Sequence, residues 1–323
     1  MRYFLGFDVG SSKTHALMVD ETGCCVGFGQ AGSGNHQGVG YAGLASVLRD
    51  SCGAARQMAG VGLEQIAGAG LGVAGYDFPS DREPHLQVIA MLGLACPIEV
   101  VNDGMNGLLA GATRGIGVNV TAGSSNNCRG RNRAGLEGRI VGNGSRFGEY
   151  GGGREIVLKA LQLVNYAWIK RIPPTTLTQV FLNVTGARDE LELIEALSND
   201  VSQLVPNIAV EVVKAAQHGD AAAGEVVGWA GEELGWLAVA VARQIDMHHD
   251  AVEIIQSGSV FDAGEIILQP MRERVLKHCP RAKLTRLVGP PVIGAVILAL
   301  EQAGVDGYAI RARIAHTAQA LIP

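Results

Sequence analysis

The segment Gly6-Phe7-Asp8-Val9-Gly10-Ser11-Ser12-Lys13-Thr14 decides the fold. It joins an apolar stretch, which predicts a buried strand over residues 2–9, to a tight turn of small and hydroxylated residues. Backbone N–H groups and hydroxyls in such a turn can face phosphate oxygens. Asp8 is suited to hold a water on Mg²⁺, because hard cations prefer carboxylate and water oxygens. Taken alone, the segment also fits a plain hairpin turn with an exposed Lys13.

The strands and helices that follow this turn predict a mixed α/β lobe. Apolar patterning predicts strands at 15–20, 24–29, 66–73 and 98–101, and helices at 39–58, 81–92 and 105–112. With the first strand, the order is βββαβαβα. The same order begins again at residue 117 and is interrupted by a mostly helical insertion at about 154–247. We therefore expect two similar lobes with a cleft between them. The first is residues 1–113 joined by the C-terminal helix 306–323, and the second is residues 114–305.

The composition argues against several classes of protein. The chain has 323 residues, 47% of them hydrophobic, with 45 glycines and a formal net charge of −5. It can bury a full core, and its mild acidity argues against nonspecific nucleic-acid binding. It has no uninterrupted apolar run of membrane-spanning length and no signal-peptide pattern, and its six scattered cysteines form no CxxC pair. We expect a cytoplasmic protein without a membrane or nucleic-acid partner.

Three further segments carry small or polar residues at strand ends. Asp103 follows the strand that ends at Asn102, where α/β sheets bind ligands, and its carboxylate can accept a proton from a substrate hydroxyl. A helix N-cap is the alternative role for Asp103. A second hydroxyl-rich turn, Thr121-Ala122-Gly123-Ser124, corresponds in place to the first turn. Gly258 and Ser259 follow a later strand, where the backbone can closely approach a purine ring.

Two loops complete the candidate site. Asn35, followed by His36, offers both a donor and an acceptor to neighbouring hydroxyls of a sugar. The segment at 142–153 contains six glycines, with Arg146 and Glu149 as its charged residues. Plain surface loops are the alternative for both segments.

In their order along the chain, these motifs resemble the phosphate-1, connect-1, phosphate-2 and adenosine motifs of the actin-like ATPase superfamily, which includes sugar kinases. Asn35-His36, residues 125–129 and the glycine loop at 142–153 are most similar to the BadF/BadG/BcrA/BcrD-type ATPases, and among these to eukaryotic-type N-acetylglucosamine kinases. The resemblance implies two ribonuclease H-like lobes. It also implies transfer of the γ-phosphoryl group of ATP, with Mg²⁺, to the 6-hydroxyl of an amino sugar or related hexose. On base rates we expect a homodimer.

The resemblance implies a role for each matched position. Asp103 matches the general base that takes the proton from the acceptor hydroxyl. The matched sugar-binding positions are Asn35, His36, Asp103, Gly144 and Glu149. Asp8 matches the metal position and would hold Mg²⁺ through a water. The matched phosphate positions are Gly10, Ser11, Ser12 and Lys13 on the first turn and Thr121, Gly123 and Ser124 on the second. The matched adenosine positions are Gly258 and Ser259.

The glycine loop departs from the family pattern. Members usually carry a Trp after its first glycines and an Asp-Glu pair where this chain has Glu149-Tyr150. The acceptor therefore stays open between N-acetylglucosamine and a related hexose. Two other functions also stay open. One is an ATPase that drives a partner, like the iron–sulfur activators of 2-hydroxyacyl-CoA dehydratases, for which Cys128 is alone in its region. The other is a nucleotide- or sugar-binding protein without catalysis.

Overall fold

Two five-stranded mixed sheets, each flanked by helices, form the protein in the computed structural model, which describes residues 1–322. The first sheet has the order β3-β2-β1-β4-β5. Its strands are β1 (Tyr3–Val9), β2 (Thr14–Asp20), β3 (Cys25–Ala31), β4 (Ile66–Val73) and β5 (Ile98–Asn102). Short turns join β1, β2 and β3 as antiparallel neighbours, whereas helical crossovers make β4 and β5 parallel to β1.

The second sheet repeats this arrangement in the order β10-β9-β6-β7-β8. Its strands are β6 (Gly117–Ala122), β7 (Asn126–Arg131), β8 (Glu137–Arg139), β9 (Glu253–Ser257) and β10 (Lys283–Arg286). β6 pairs antiparallel with β7 and parallel with β9, as β1 does with β2 and β4. The predicted fold class, two α/β lobes of the same strand order, is confirmed.

The helices follow the predicted stretches, with ends that differ by a few residues. In the first half they are α1 (His36–Ala59), α2 (Arg82–Ala90) and α3 (Asp103–Gly111). The predicted helical insertion contains α4 (Gly153–Trp168), α5 (Leu177–Thr185), α6 (Glu190–Asn199), α7 (Ala209–Gln217) and α8 (Ala221–Gln244). The last three are α9 (Glu265–His278), α10 (Val292–Gln302) and α11 (Gly307–Ala318). Among the helices within residues 1–322, none is long and apolar enough to cross a membrane.

Helix α10 lies directly on the backbone of the first sheet. It packs against β1 and β4, and a Cβ at Gly6 or Gly70 would collide with the α10 backbone at Ala295 or Val296. Glycine at these two positions lets the helix approach the sheet without intervening side chains. α11 contacts β3, and Thr317 accepts the N–H of Cys25 at 3.0 Å. The division of the chain at residue 113, with the C-terminal helix joined to the first lobe, stays a prediction. The predicted bounds 114–305 place α10 in the second lobe, and we propose instead that it belongs to the first, because it packs on β1 and β4.

Helix α3 connects the two sheets. It follows β5 without a loop, packs against α10, and reaches β6 and β7 of the second sheet. Gly294 of α10 lies against the backbone of Asn106 in α3, so the two helices cross closely. The first turn of α3 is thereby fixed at the cleft between the lobes.

Candidate active site

Two carboxylates, those of Asp8 and Asp103, lie near each other where the two lobes meet. Asp8 is near the end of β1, and Asp103 begins α3 directly after β5. Asn106, one turn into α3, donates from Nδ2 to Oδ1 of Asp8 at 2.8 Å and so ties the helix to β1. Burial raises the pKa of Asp8 to about 6. Burial, followed by the negative charge of Asp8, raises the pKa of Asp103 to about 7. A carboxylate with this pKa is suited to accept a proton near neutral pH.

One oxygen of Asp103 is held and the other is free. Oδ1 accepts the N–H of Gly104 at 3.0 Å and an N–H of Asn127 at 3.1 Å. The N-cap of α3 is Asn102, whose side chain accepts the same Gly104 N–H at 2.9 Å, so Asp103 is not required as the cap. Within residues 1–322, the hydrogen bonds to the Asp103 carboxylate go to Oδ1, and Oδ2 is an unoccupied acceptor.

The first predicted phosphate turn is adjacent to the predicted sugar pair. Gly10 donates its N–H to the Lys13 carbonyl at 2.9 Å and accepts the N–H of Gly34 at 3.0 Å. The next three residues, Ser11, Ser12 and Lys13, are exposed. Asn35 donates from Nδ2 to Oγ of Ser11 at 3.1 Å, so the two motifs are joined.

Asn35 and His36 begin helix α1. Oδ1 of Asn35 caps the helix by accepting the N–H of Gln37 at 3.0 Å. The ring of His36 stacks on Tyr41 with centroids 4.6 Å apart and meets the edge of His85 at 4.9 Å. Among the described residues, Nδ1 of His36 is buried without a partner. Both side chains are therefore oriented by contacts with their neighbours.

The second turn opens a cavity of about 490 Å³. Gly123, Ser124 and Ser259 line one side of it, and α7 closes the other with Val213 and Gln217. This volume and largely apolar lining fit a small organic ligand such as a nucleoside. Thr121, by contrast, shares a hydrogen bond of 3.0 Å with the Ser257 hydroxyl and accepts one of 2.9 Å from Asn119.

Gly258 brings the adenosine segment against the second turn. Its φ of 98° and ψ of 157° belong to a region that side chains hardly enter. A Cβ at this position would also collide with the carbonyl of Ala122. Glycine is therefore required for β9 and β6 to end side by side at the cavity.

The glycine loop is held from within by Glu149. Its buried carboxylate accepts the N–H groups of Val141, Gly142 at 2.9 Å and Asn143 at 3.0 Å. Both oxygens therefore face the backbone of the loop, and the predicted contact of Glu149 with a sugar stays a prediction. Gly144 lies beside the carboxylate of Glu155, whose pKa is raised by burial.

Four side chains to which the motifs give no role form a closed ring beside Asp103. Arg129 donates from Nη2 to Asp77 at 2.7 Å and from Nε to Oδ1 of Asn127 at 3.2 Å. Asn127 donates to Oδ1 of Asn102 at 2.7 Å, and Asn102 donates to Asp77 at 3.1 Å. Burial raises the pKa of Asp77, which Arg129 opposes, and lowers that of Arg129. Asn127 and Arg129 lie within residues 125–129, on which the resemblance rests, and Asp77 follows the end of β4, but no local pattern indicates that these side chains meet.

The cysteines and histidines do not assemble into a metal site in the described part of the chain. All six cysteines are free. Cys128 is fully buried on β7, with its Sγ 3.5 Å from the carbonyl oxygen of Leu237.

Comparison with known proteins gives one family match across the chain. The model of the BadF/BadG/BcrA/BcrD ATPase family matches residues 5–299. An N-acetylmuramic acid/N-acetylglucosamine kinase of Clostridium acetobutylicum is 26% identical over 303 residues, which cover 93% of this chain and 98% of that protein. An N-acetyl-D-glucosamine kinase of Dictyostelium discoideum is 24% identical, with coverage of 92% and 97%. A solved structure from Chromobacterium violaceum, described as a candidate N-acetylglucosamine kinase, superimposes with a TM-score of 0.71 at 23% identity, covering 92% and 99%.

Proposed function

The chain belongs to the BadF/BadG/BcrA/BcrD ATPase family, and from this membership and the cleft we propose that it is an ATP-dependent sugar kinase. The observation that carries the proposal is Asp103, whose free Oδ2 lies at the carboxyl end of the first sheet with a pKa near 7. Two relatives over nearly the full length act, by their names, on amino sugars. The acceptor that we propose is therefore N-acetylglucosamine or a related hexose.

In this proposal Asp103 is the general base. Its Oδ2 accepts the proton of the acceptor hydroxyl, for which we propose the 6-hydroxyl of the sugar. The hydroxyl oxygen of the sugar then forms a bond to the γ-phosphorus of ATP while the bond from that phosphorus to the leaving oxygen of ADP breaks. The products are ADP and a sugar phosphate. Positioning of the two reactants contributes most of the rate in such transfers. Oδ1 stays bound to Asn127, so the carboxylate keeps its orientation during the proton transfer.

The remaining matched residues would hold the reactants. We assign the sugar to Asn35, His36, Gly144 and Glu149, with Glu149 acting by shaping its loop. We assign the phosphates to two turns, the first formed by Gly10, Ser11, Ser12 and Lys13 and the second by Thr121, Gly123 and Ser124. We assign the nucleoside to Gly258 and Ser259. The cavity of about 490 Å³ beside the second turn supports the nucleoside assignment.

The surroundings of the Asp8 carboxylate are suited to a magnesium ion. This carboxylate is half-buried and forms no ion pair within 4 Å with Lys or Arg in the structure of residues 1–322, although Asn106 holds one oxygen and the charge of Lys13 acts on it from farther away. A desolvated carboxylate that lacks a directly contacting cation favours binding of a divalent ion. Asp8 would hold Mg²⁺ through a water, and the bound ion would supply positive charge to the phosphate oxygens of ATP.

An iron–sulfur activator is less consistent with the structure. The thiol of Cys128 is in the core behind β7, and burial raises its pKa far above the ordinary range. A protonated, enclosed thiol does not bind a cluster.

A coupled assay of ADP release over a panel of hexoses and N-acetylhexosamines tests the proposal. We expect sugar-dependent ADP release that Asp103→Asn lowers by about 10²- to 10⁴-fold. Hydrolysis of ATP at the same rate without sugar would favour the activator-type ATPase. No ADP with any sugar would favour a binding protein without catalysis.

A further inference from the structure

The ring of Asp77, Asn102, Asn127 and Arg129 joins the two lobes behind the proposed base. Asp77 follows β4 and Asn102 ends β5, both strands of the first sheet, whereas Asn127 and Arg129 lie on β7 of the second. Asp77, Asn102 and Arg129 are each at most 9% exposed. The ring is therefore an enclosed contact that depends on how the two lobes are arranged relative to each other.

The ring determines which way the Asn127 carboxamide faces. Nε of Arg129 is a donor and lies 3.2 Å from one end of this carboxamide, which must therefore be the oxygen. The other end is the NH₂ group, and it lies 2.7 Å from Oδ1 of Asn102 and 3.1 Å from Oδ1 of Asp103. Both of these neighbours are acceptors, so the arrangement is consistent at each contact.

Asp77 in turn orients Arg129. Its Oδ1 accepts Nη2 of Arg129 at 2.7 Å and also Nδ2 of Asn102 at 3.1 Å. A buried ion pair is weak evidence for stability by itself, because desolvation offsets the attraction of the two charges. The planar guanidinium of arginine, however, directs several N–H groups at fixed angles, which a point charge does not.

We propose that Arg129 and Asp77 are positioning residues for Asp103. They hold the Asn127 carboxamide with its donor toward Oδ1 of the base, which leaves Oδ2 for the acceptor hydroxyl. Because the partners come from both lobes, the base is oriented only when the lobes are arranged as in this structure. This inference rests on the proposed function.

A mutant cycle on kcat tests this inference. Asn127→Ala removes the link to the base, and the double variant Asp77→Asn/Arg129→Gln neutralises the ion pair without leaving one charge buried. Each should lower kcat by about 10²-fold while the KM for ATP changes less than about twofold, since misplacement of a reacting group has effects of this size. The triple variant should be no more than about threefold slower than Asn127→Ala, because both changes act through one contact.

Two further variants keep the test decisive. Arg129→Lys retains the charge beside Asp77 but has one nitrogen in place of the two, Nε and Nη2, that contact Asn127 and Asp77, so it should lower kcat and be non-additive with Asn127→Ala. It replaces the double variant if circular dichroism shows that the latter is unfolded. The control is Arg114→Gln/Asp306→Asn, which removes an exposed ion pair of 2.7 Å and should leave kcat unchanged.

The outcomes separate this inference from the proposed function. Two results would overturn the positioning role alone, provided that the wild type shows sugar-dependent turnover. One is an unaffected kcat in folded ion-pair variants. The other is a loss of kcat in the triple variant equal to the product of the separate losses. Absence of turnover in the wild type with every sugar would contradict the proposed function, and this inference with it.

Discussion

Asp103→Asn should make the protein more stable at pH 8 while it removes the base. Burial and Asp8 raise the pKa of Asp103 from 3.8 to about 7, so the folded protein binds this proton more tightly than the unfolded chain. The stabilising contribution is complete below the unfolded pKa and is lost as the pH rises through about 7. An asparagine has no charge to bury, and its Oδ1 can still accept the N–H groups of Gly104 and Asn127.

The magnitude follows from the pKa difference. A rise from 3.8 to about 7 corresponds to at most about 4 kcal/mol. Because Asp103 keeps part of its surface in solvent, we expect a gain of about 1–2 kcal/mol at pH 8. At pH 5 wild-type Asp103 is already protonated in the folded state, so the gain should fall to less than half.

Urea unfolding at pH 5 and pH 8 measures this difference in free energy. Asp50→Asn, a change of an exposed carboxylate on α1, is the control and should alter stability by less than about 0.5 kcal/mol at either pH. The argument from burial would be refuted if Asp103→Asn is less stable than wild type at pH 8. It would also be refuted if the substitution changes the free energy of unfolding by the same amount at both pH values.

Three further predictions concern catalysis and the two loops. Because Asp103 must be deprotonated to act, kcat/KM should fall tenfold per pH unit below its pKa of about 7, and a pH–rate profile that is flat down to pH 5 would exclude it as the base. Glu149→Gln replaces one carboxylate oxygen that accepts loop N–H groups by an NH₂ donor. In steady-state kinetics the KM for sugar should therefore rise about tenfold or more, with the KM for ATP unchanged. An unchanged KM for sugar would contradict this role. Gly258→Ala should cost about 1–3 kcal/mol in urea unfolding and raise the KM for ATP, because the new Cβ meets the Ala122 carbonyl. Gly224→Ala, where a Cβ meets nothing, is its control, and equal behaviour of the two alanine variants would contradict the requirement for glycine.

Local patterns predicted the secondary structure closely because each strand and helix has its own apolar periodicity. The strand at 66–73 has the predicted bounds, and the insertion that contains α4 to α8 is helical, as predicted. The repeat of the strand order then specified the two lobes. The sequence also placed Asp8 and Asp103 at strand ends, and the parallel sheet brings such ends to one edge.

Contacts between distant segments were beyond these patterns. Gly6 and Gly70 are explained only by α10, which returns from the far end of the chain to lie on β1 and β4. Asp77 and Arg129 meet because β7 of the second sheet faces the loop after β4. The sequence predicts that Glu149 lies on a sugar-binding loop, but local sequence does not encode that the turn at 141–143 presents its N–H groups to this carboxylate.

The central claim is that Asp103 activates a sugar hydroxyl for attack on ATP. The most direct test measures ADP and phosphorylated sugar together, by chromatography and mass spectrometry, in wild type and Asp103→Asn, alongside ATP binding by calorimetry. We predict equal amounts of both products in the wild type, a rate at least about 10²-fold lower in the variant, and unchanged ATP affinity. ADP without phosphorylated sugar, or an Asp103→Asn variant that keeps the rate or no longer binds ATP, would contradict the account.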